Sequence, residues 1–221
     1  MRLINRLRCS LKALKLLYRL SGLLNLFSPR FDREKNSAAR AQSALPAGEL
    51  NGQALPPLAA LPYGAWRMGE NGCEVIAVYN ALLTLGRPAP LAELADALER
   101  RGLLLNGYGG THLAAVAAEL RRRGLRVRAY SGAAAGNTPL EGYRCAVLSY
   151  WTGKTLRRSD GSWNTLHTVA VRPTREGVEI LNAWGDRSTP ARADSISGFL
   201  REHDYLPVGL FVPEAEAPLP G

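Results

Sequence analysis

Cysteine is scarce in this chain: 221 residues carry three, Cys9, Cys73 and Cys145. The number is odd, the spacings are wide and no CxxC pair occurs, which excludes a disulfide framework and a zinc ligand set. Free thiols fit a reducing compartment, so a cytoplasmic location is expected. No metal or organic cofactor is implied. Histidine is equally scarce, so any imidazole chemistry falls to His112, His167 or His203. Long uncharged apolar runs are missing too. Lys12, Lys15 and Arg19 interrupt every leucine stretch near the N-terminus, which argues against a signal peptide and a membrane-spanning helix. No internal repeat is evident.

Acidic residues are nearly absent from the first 41 positions, which hold ten Lys or Arg and two Asp or Glu. The overall charge of +9 therefore belongs to an N-terminal arm, and the rest is close to neutral. A nucleic-acid-binding domain would carry its basic patch on the folded body, so no nucleic-acid partner is expected. Residues 1–27 have helical periodicity. Arg8, Lys12, Lys15 and Arg19 form a basic stripe, and Leu7, Leu11, Leu14 and Tyr18 an apolar one. Such a helix suits the surface of an anionic membrane, with peripheral attachment, or packing on a partner or on its own domain. The residues do not choose between these.

Residues 28–61 are rich in Ser, Ala, Pro, Gly and charge, and read as a linker. A single domain is expected over 62–214, with a short tail at 215–221. Within it the spacing predicts helices over 72–85, 90–101 and 111–123, the last capped by Thr111. Strands are predicted over 126–130, 145–151, 166–172, 177–182 and 207–212. Helices followed by strands imply an α+β fold, an antiparallel sheet against a helical layer.

Cys73 follows the polar turn Glu70-Asn71-Gly72 and opens an apolar helix. The positive end of a helix and its free N–H groups favour a thiolate, the reactive form. Cys9 and Cys145 fit ordinary apolar positions, and His112 and His203 fit the surface. His167 stands in a strand of Leu, Thr, Val and Ala, where an ionisable ring needs a partner or marks a site. With Thr174 and Arg175 at the hairpin tip, 171 faces 178, 169 faces 180 and 167 faces 182. The Asn182 side-chain oxygen would then accept an imidazole N–H and fix the tautomer. Trp184 would shield that bond.

These residues give the chain a resemblance to papain-like cysteine peptidases, and within them to the bacteriocin-processing (double-glycine leader) peptidases. Asn71-Gly72-Cys73-Glu74-Val75-Ile76-Ala77 resembles the nucleophile helix, and Leu166-His167-Thr168-Val169-Ala170-Val171 the base strand. Val178-Glu179-Ile180-Leu181-Asn182-Ala183-Trp184-Gly185 is similar to the strand that carries the third residue. The likeness spans about residues 65–212. It implies a papain-like fold, with the nucleophile helix packed on a C-terminal sheet, and a cysteine peptidase or hydrolase. Cys73 would be the nucleophile, His167 the base and Asn182 the orienter, with a peptide or small acyl substrate. Two departures stand out. Arg67 occupies the place of the usual oxyanion-hole Gln, leaving Asn71 as the nearest amide side chain, and Glu74 stands where many relatives have Gly. An acyltransferase or amidase would use the same triad. A non-catalytic peptide- or partner-binding module would need only the fold.

Overall fold

The computed structural model describes residues 29–45, 48–155 and 164–215. The arm helix of residues 1–27 and all of the tail but residue 215 lie outside the described residues.

The fold is mixed α+β, with a six-stranded antiparallel sheet and a separate two-stranded ribbon. The segment read as a linker is built into this domain. Asp32 accepts the Lys35 N–H at 3.0 Å and starts α1, Arg33–Ala41. On α1, Arg40 is buried to 1% exposure. It meets Asp96, binds Glu99 at 2.8 and 2.9 Å, and donates to the Pro62 carbonyl at 2.7 Å. Further on, Leu50, Leu58 and Leu61 enter the hydrophobic core. The expectation of a linker at 28–61 is thus overturned over the described part. Its composition hides the reason, because the segment folds onto distant residues and not onto itself.

The ribbon β1 (Pro62–Tyr63) and β2 (Trp66–Arg67) leads into the short α2, Met68–Asn71. Next come α3 (Cys73–Thr84), α4 (Leu91–Arg101) and α5 (Leu113–Arg122). These three match the predicted helices, but the cap of α5 is His112, not Thr111. The His112 Nδ1 accepts the Ala114 N–H at 3.0 Å, and Thr111 instead meets the Tyr63 hydroxyl. The central α3 is buried on nearly all sides, with Val75, Ile76, Ala77, Val78, Ala81 and Leu82 all shielded from solvent.

Five strands of the sheet fall where predicted: β3 (Leu125–Ser131), β4 (Ala146–Trp151), β5 (Leu166–Thr174), β6 (Gly177–Leu181) and β8 (Leu206–Ala215). Like α1, β1, β2 and α2, the elements α6 (Ala133–Asn137), β7 (Ala191–Ala193) and α7 (Ile196–Glu202) were not anticipated. The strand order is β3-β8-β4-β5-β6-β7. Alternation gives the sheet two covered faces. Val147 and Ala170 join the core of α3, α4 and α5, whereas Leu148, Tyr150, Val169 and Val171 join Phe199 and Leu200 of α7.

The β5–β6 hairpin is offset from expectation. Thr174 pairs with Gly177, Val171 with Ile180 and Ala170 with Leu181, so the tip is Arg175-Glu176. Gly177, at φ 139°, lets the chain close after two loop residues. The shift is two residues, so each side chain keeps its face. The shift takes His167 out of opposition to Asn182, and β6 ends at Leu181, with Asn182 in the left-handed region at φ 63°. Among the described residues, no helix is long and apolar enough to cross a membrane.

Candidate functional site

Gly72 joins α2 to α3, where a Cβ would lie 2.1 Å from the Met68 sulfur. That close approach brings Cys73 directly to the start of α3. There the Thr168 N–H of β5, the amide that follows His167, lies near enough to its Sγ to favour the thiolate. Sequence order thus becomes spatial order, with the thiol lying against the peptide next to the imidazole.

The electrostatics differ from expectation. Cys73 is 5% exposed and its Sγ donates to the Glu74 carboxylate, Sγ to Oε2 3.3 Å. Burial and the neighbouring carboxylate push the thiol well above its ordinary range; the Thr168 and Glu74 N–H groups oppose this only in part. A thiol lowered by the helix terminus is therefore not what the fold produces. Desolvation and a like charge outweigh the dipole here. Burial likewise pushes Cys145 up, to about 12.

His167 is partly buried on β5 and lies directly across from Tyr150 of β4. Its Nε2 is 2.8 Å from the backbone oxygen of Asn182. A carbonyl can only accept, so Nε2 carries the proton and Nδ1 is the free basic nitrogen. Burial lowers the affinity of the ring for a second proton, and the carbonyl contact works against this. The predicted partner is thus the correct residue through a different atom.

The Asn182 side chain has other work. Its Oδ1 accepts the Gln53 N–H at 3.1 Å, and its Nδ2 donates to Gln53 Oε1 at 2.9 Å. Gln53 Nε2 donates onward to the Gly69 carbonyl at 3.0 Å, next to Glu70 and Asn71. The Asn182 N–H reaches Asn51 Oδ1 at 2.7 Å. Asn51 and Gln53 were missed because they sit in a polar stretch without periodicity. Only a search for an amide partner to Asn182 could have suggested them.

Asn71, the last residue of α2, is partly exposed just before Gly72 and Cys73. The Trp184 ring lies against Phe199, His203 and the Arg187 guanidinium, at 6.0, 4.9 and 5.2 Å. Tyr150 is set edge-on to the His167 ring at 5.8 Å and stacked on Tyr205 at 4.8 Å. His203 joins this aromatic group, and His112 is buried; neither is the plain surface residue expected.

The Tyr150 hydroxyl is buried and has no hydrogen-bond partner among the described residues. An unpaired buried hydroxyl costs about 1–3 kcal/mol. Tyr150→Phe should therefore raise the denaturant midpoint, and a lowered midpoint would show that the hydroxyl is satisfied. Among the described residues, no group of three or more His, Cys, Asp or Glu converges on a point that could hold a metal ion. No protein-family model matches the chain, and no curated protein matches it in sequence.

Proposed function

We propose that the chain is a cysteine hydrolase of papain-like build that cleaves peptide or related amide bonds. The observation that carries this reading is the His167–Asn182 contact. It fixes the tautomer that leaves Nδ1 basic, on the strand whose next amide, at Thr168, favours the Cys73 thiolate. Cys73 attacks the carbonyl carbon as a thiolate, and a tetrahedral oxyanion forms. The Cys73 backbone N–H and the Asn71 amide are the candidate donors to it. The proton lost by the Cys73 thiol passes to His167 Nδ1, which hands it to the leaving amine as the C–N bond breaks, leaving an acyl-Cys73. Water, deprotonated by the same nitrogen, releases the acid and restores the thiol.

One observation favours a second reading. The thiol is held protonated by Glu74, which suits a non-catalytic peptide- or partner-binding module. An acyltransferase or amidase would need the same residues and differ only in the acceptor.

The test is acylation by a small activated ester, followed by intact-mass and peptide mapping. One acyl group on Cys73 is expected, with none there in Cys73→Ala. The rate should fall about 10²- to 10⁴-fold in His167→Ala, the usual share of general acid–base catalysis. Acylation of Cys145 alone, or none, would leave the binding module as the better reading.

A further inference from the structure

Glu74 has no role in a Cys-His-Asn site, yet it is the hydrogen-bond partner of the thiol. It is 2% exposed, and its Oε2 lies 3.3 Å from the Cys73 sulfur. The Thr111 N–H and its own N–H also favour the ionised carboxylate. Among the described residues, no Lys or Arg pairs with it, whereas buried Glu99 and Glu119 both have arginines. A buried carboxylate without a cation, held by two amides and a thiol, is not explained by folding. An apolar residue there would avoid its desolvation.

We propose that Cys73 and Glu74 form one buried site that holds a single negative charge, with Glu74 keeping the thiol as S–H. The proposal rests on Cys73 being the nucleophile. Near neutral pH a thiolate forms only when the carboxylate is neutral. Glu74 then takes its proton from solvent, the S–H bond breaks as His167 Nδ1 takes the thiol proton, and the one negative charge has passed from oxygen to sulfur. Two charges 3.3 Å apart in a desolvated pocket repel too strongly to coexist near neutral pH. Burial pushes the Glu74 carboxyl up to about 7, so its own ionisation falls in the physiological range. Pairs of this kind titrate as a unit.

The other titratable groups on the surrounding elements are accounted for. Tyr63 on β1 is bonded to the Thr111 hydroxyl, and burial holds it neutral. His112 points Nδ1 at the Ala114 N–H. His167 on β5 is neutral through burial, Glu70 on α2 is exposed, and Glu99 on α4 is bound to Arg40.

The experiment follows thiolate ultraviolet absorbance against pH in the full-length protein, with Cys73→Ser subtracted. In the wild type the midpoint should lie above the ordinary thiol value of about 8.5. Glu74→Gln should lower it by at least about one unit, and so speed Cys73 alkylation about tenfold at mildly alkaline pH. The Cys145 alkylation rate should not change. Glu74→Met, which adds no polar atom, should act alike and serves if the glutamine variant does not fold. A wild-type midpoint at or below the ordinary value overturns the proposal. So does a midpoint unmoved in both variants, or alkylation of Cys145 that speeds up in step with Cys73. Ester acylation separates this from the functional reading. A high midpoint without an acyl-Cys73 keeps the shared site and removes the hydrolase; an acyl-Cys73 with an ordinary midpoint does the reverse.

Discussion

Arg40→Ala should lower stability by about 3–5 kcal/mol, the cost of breaking a buried ion pair from one side. Two carboxylates would then face each other, since Asp96 and Glu99 both depend on this guanidinium. Glu99 would keep the Gly64 N–H at 2.8 Å and the Asn36 amide at 3.1 Å, which do not neutralise it. Arg40→Lys should recover only part of the loss, because an ammonium cannot bridge both acids and the Pro62 carbonyl in one plane. Urea denaturation reads these differences directly. The same anchor decides where the chain can be cut. The sequence suggests that a body without residues 1–60 folds alone; with Arg40, Leu50 and Leu58 buried in that body, such a truncation should melt without a cooperative transition. An Arg40→Ala protein of wild-type stability would show that α1 is dispensable.

Asn182→Ala should be at least as costly in stability and far milder in chemistry. The substitution orphans the buried Gln53 N–H and Oε1, at about 1–3 kcal/mol each. It also forces alanine into left-handed backbone, at roughly 1–2 kcal/mol. The sum is about 3–8 kcal/mol, and a double-mutant cycle with Gln53→Ala should show strong coupling. Asn182→Gly should regain the conformational share but not the hydrogen bonds. Asn182→Asp should not rescue, since a carboxylate cannot donate to Gln53 Oε1. The atom that meets His167 is a backbone oxygen, which every substitution retains. Ester acylation by the folded fraction of Asn182→Ala should therefore stay within about tenfold of wild type, against the 10²- to 10⁴-fold loss for His167→Ala. A stable Asn182→Ala protein with acylation as slow as His167→Ala would restore the side chain as orienter.

These two residues mark where the sequence was legible and where it was not. Apolar periodicity placed α3, α4 and α5 and five strands of the main sheet, because each element buries a face that repeats at its own period. Glycines at 86, 102 and 124 marked three helix ends. Long-range polar pairing has no such period. Arg40 finds Glu99 and Asn182 finds Gln53 across wide separations in sequence, and nothing local announces either. The hairpin offset shows the same limit. Hydrophobic alternation fixes which face a residue occupies but not which neighbour it meets, and two residues sufficed to exchange a side-chain contact for a backbone one. For Cys73, helix position was readable, but the charge on its neighbour Glu74 became decisive only once both were buried.

The place of β8 bears on how the chain is made. Among the described residues this strand is the last in sequence, yet it lies inside the sheet, paired with β3 on one side and β4 on the other. During synthesis β3 leaves the ribosome with no strand to join, and it waits until every other element has emerged. A nascent chain therefore exposes open edges of β3 and β4 until β8 is made, the surfaces that chaperones and other unfinished chains engage. A ribosome that stops before β8 releases a chain with a split sheet, which protein quality control should clear and which no later repair of the site can rescue.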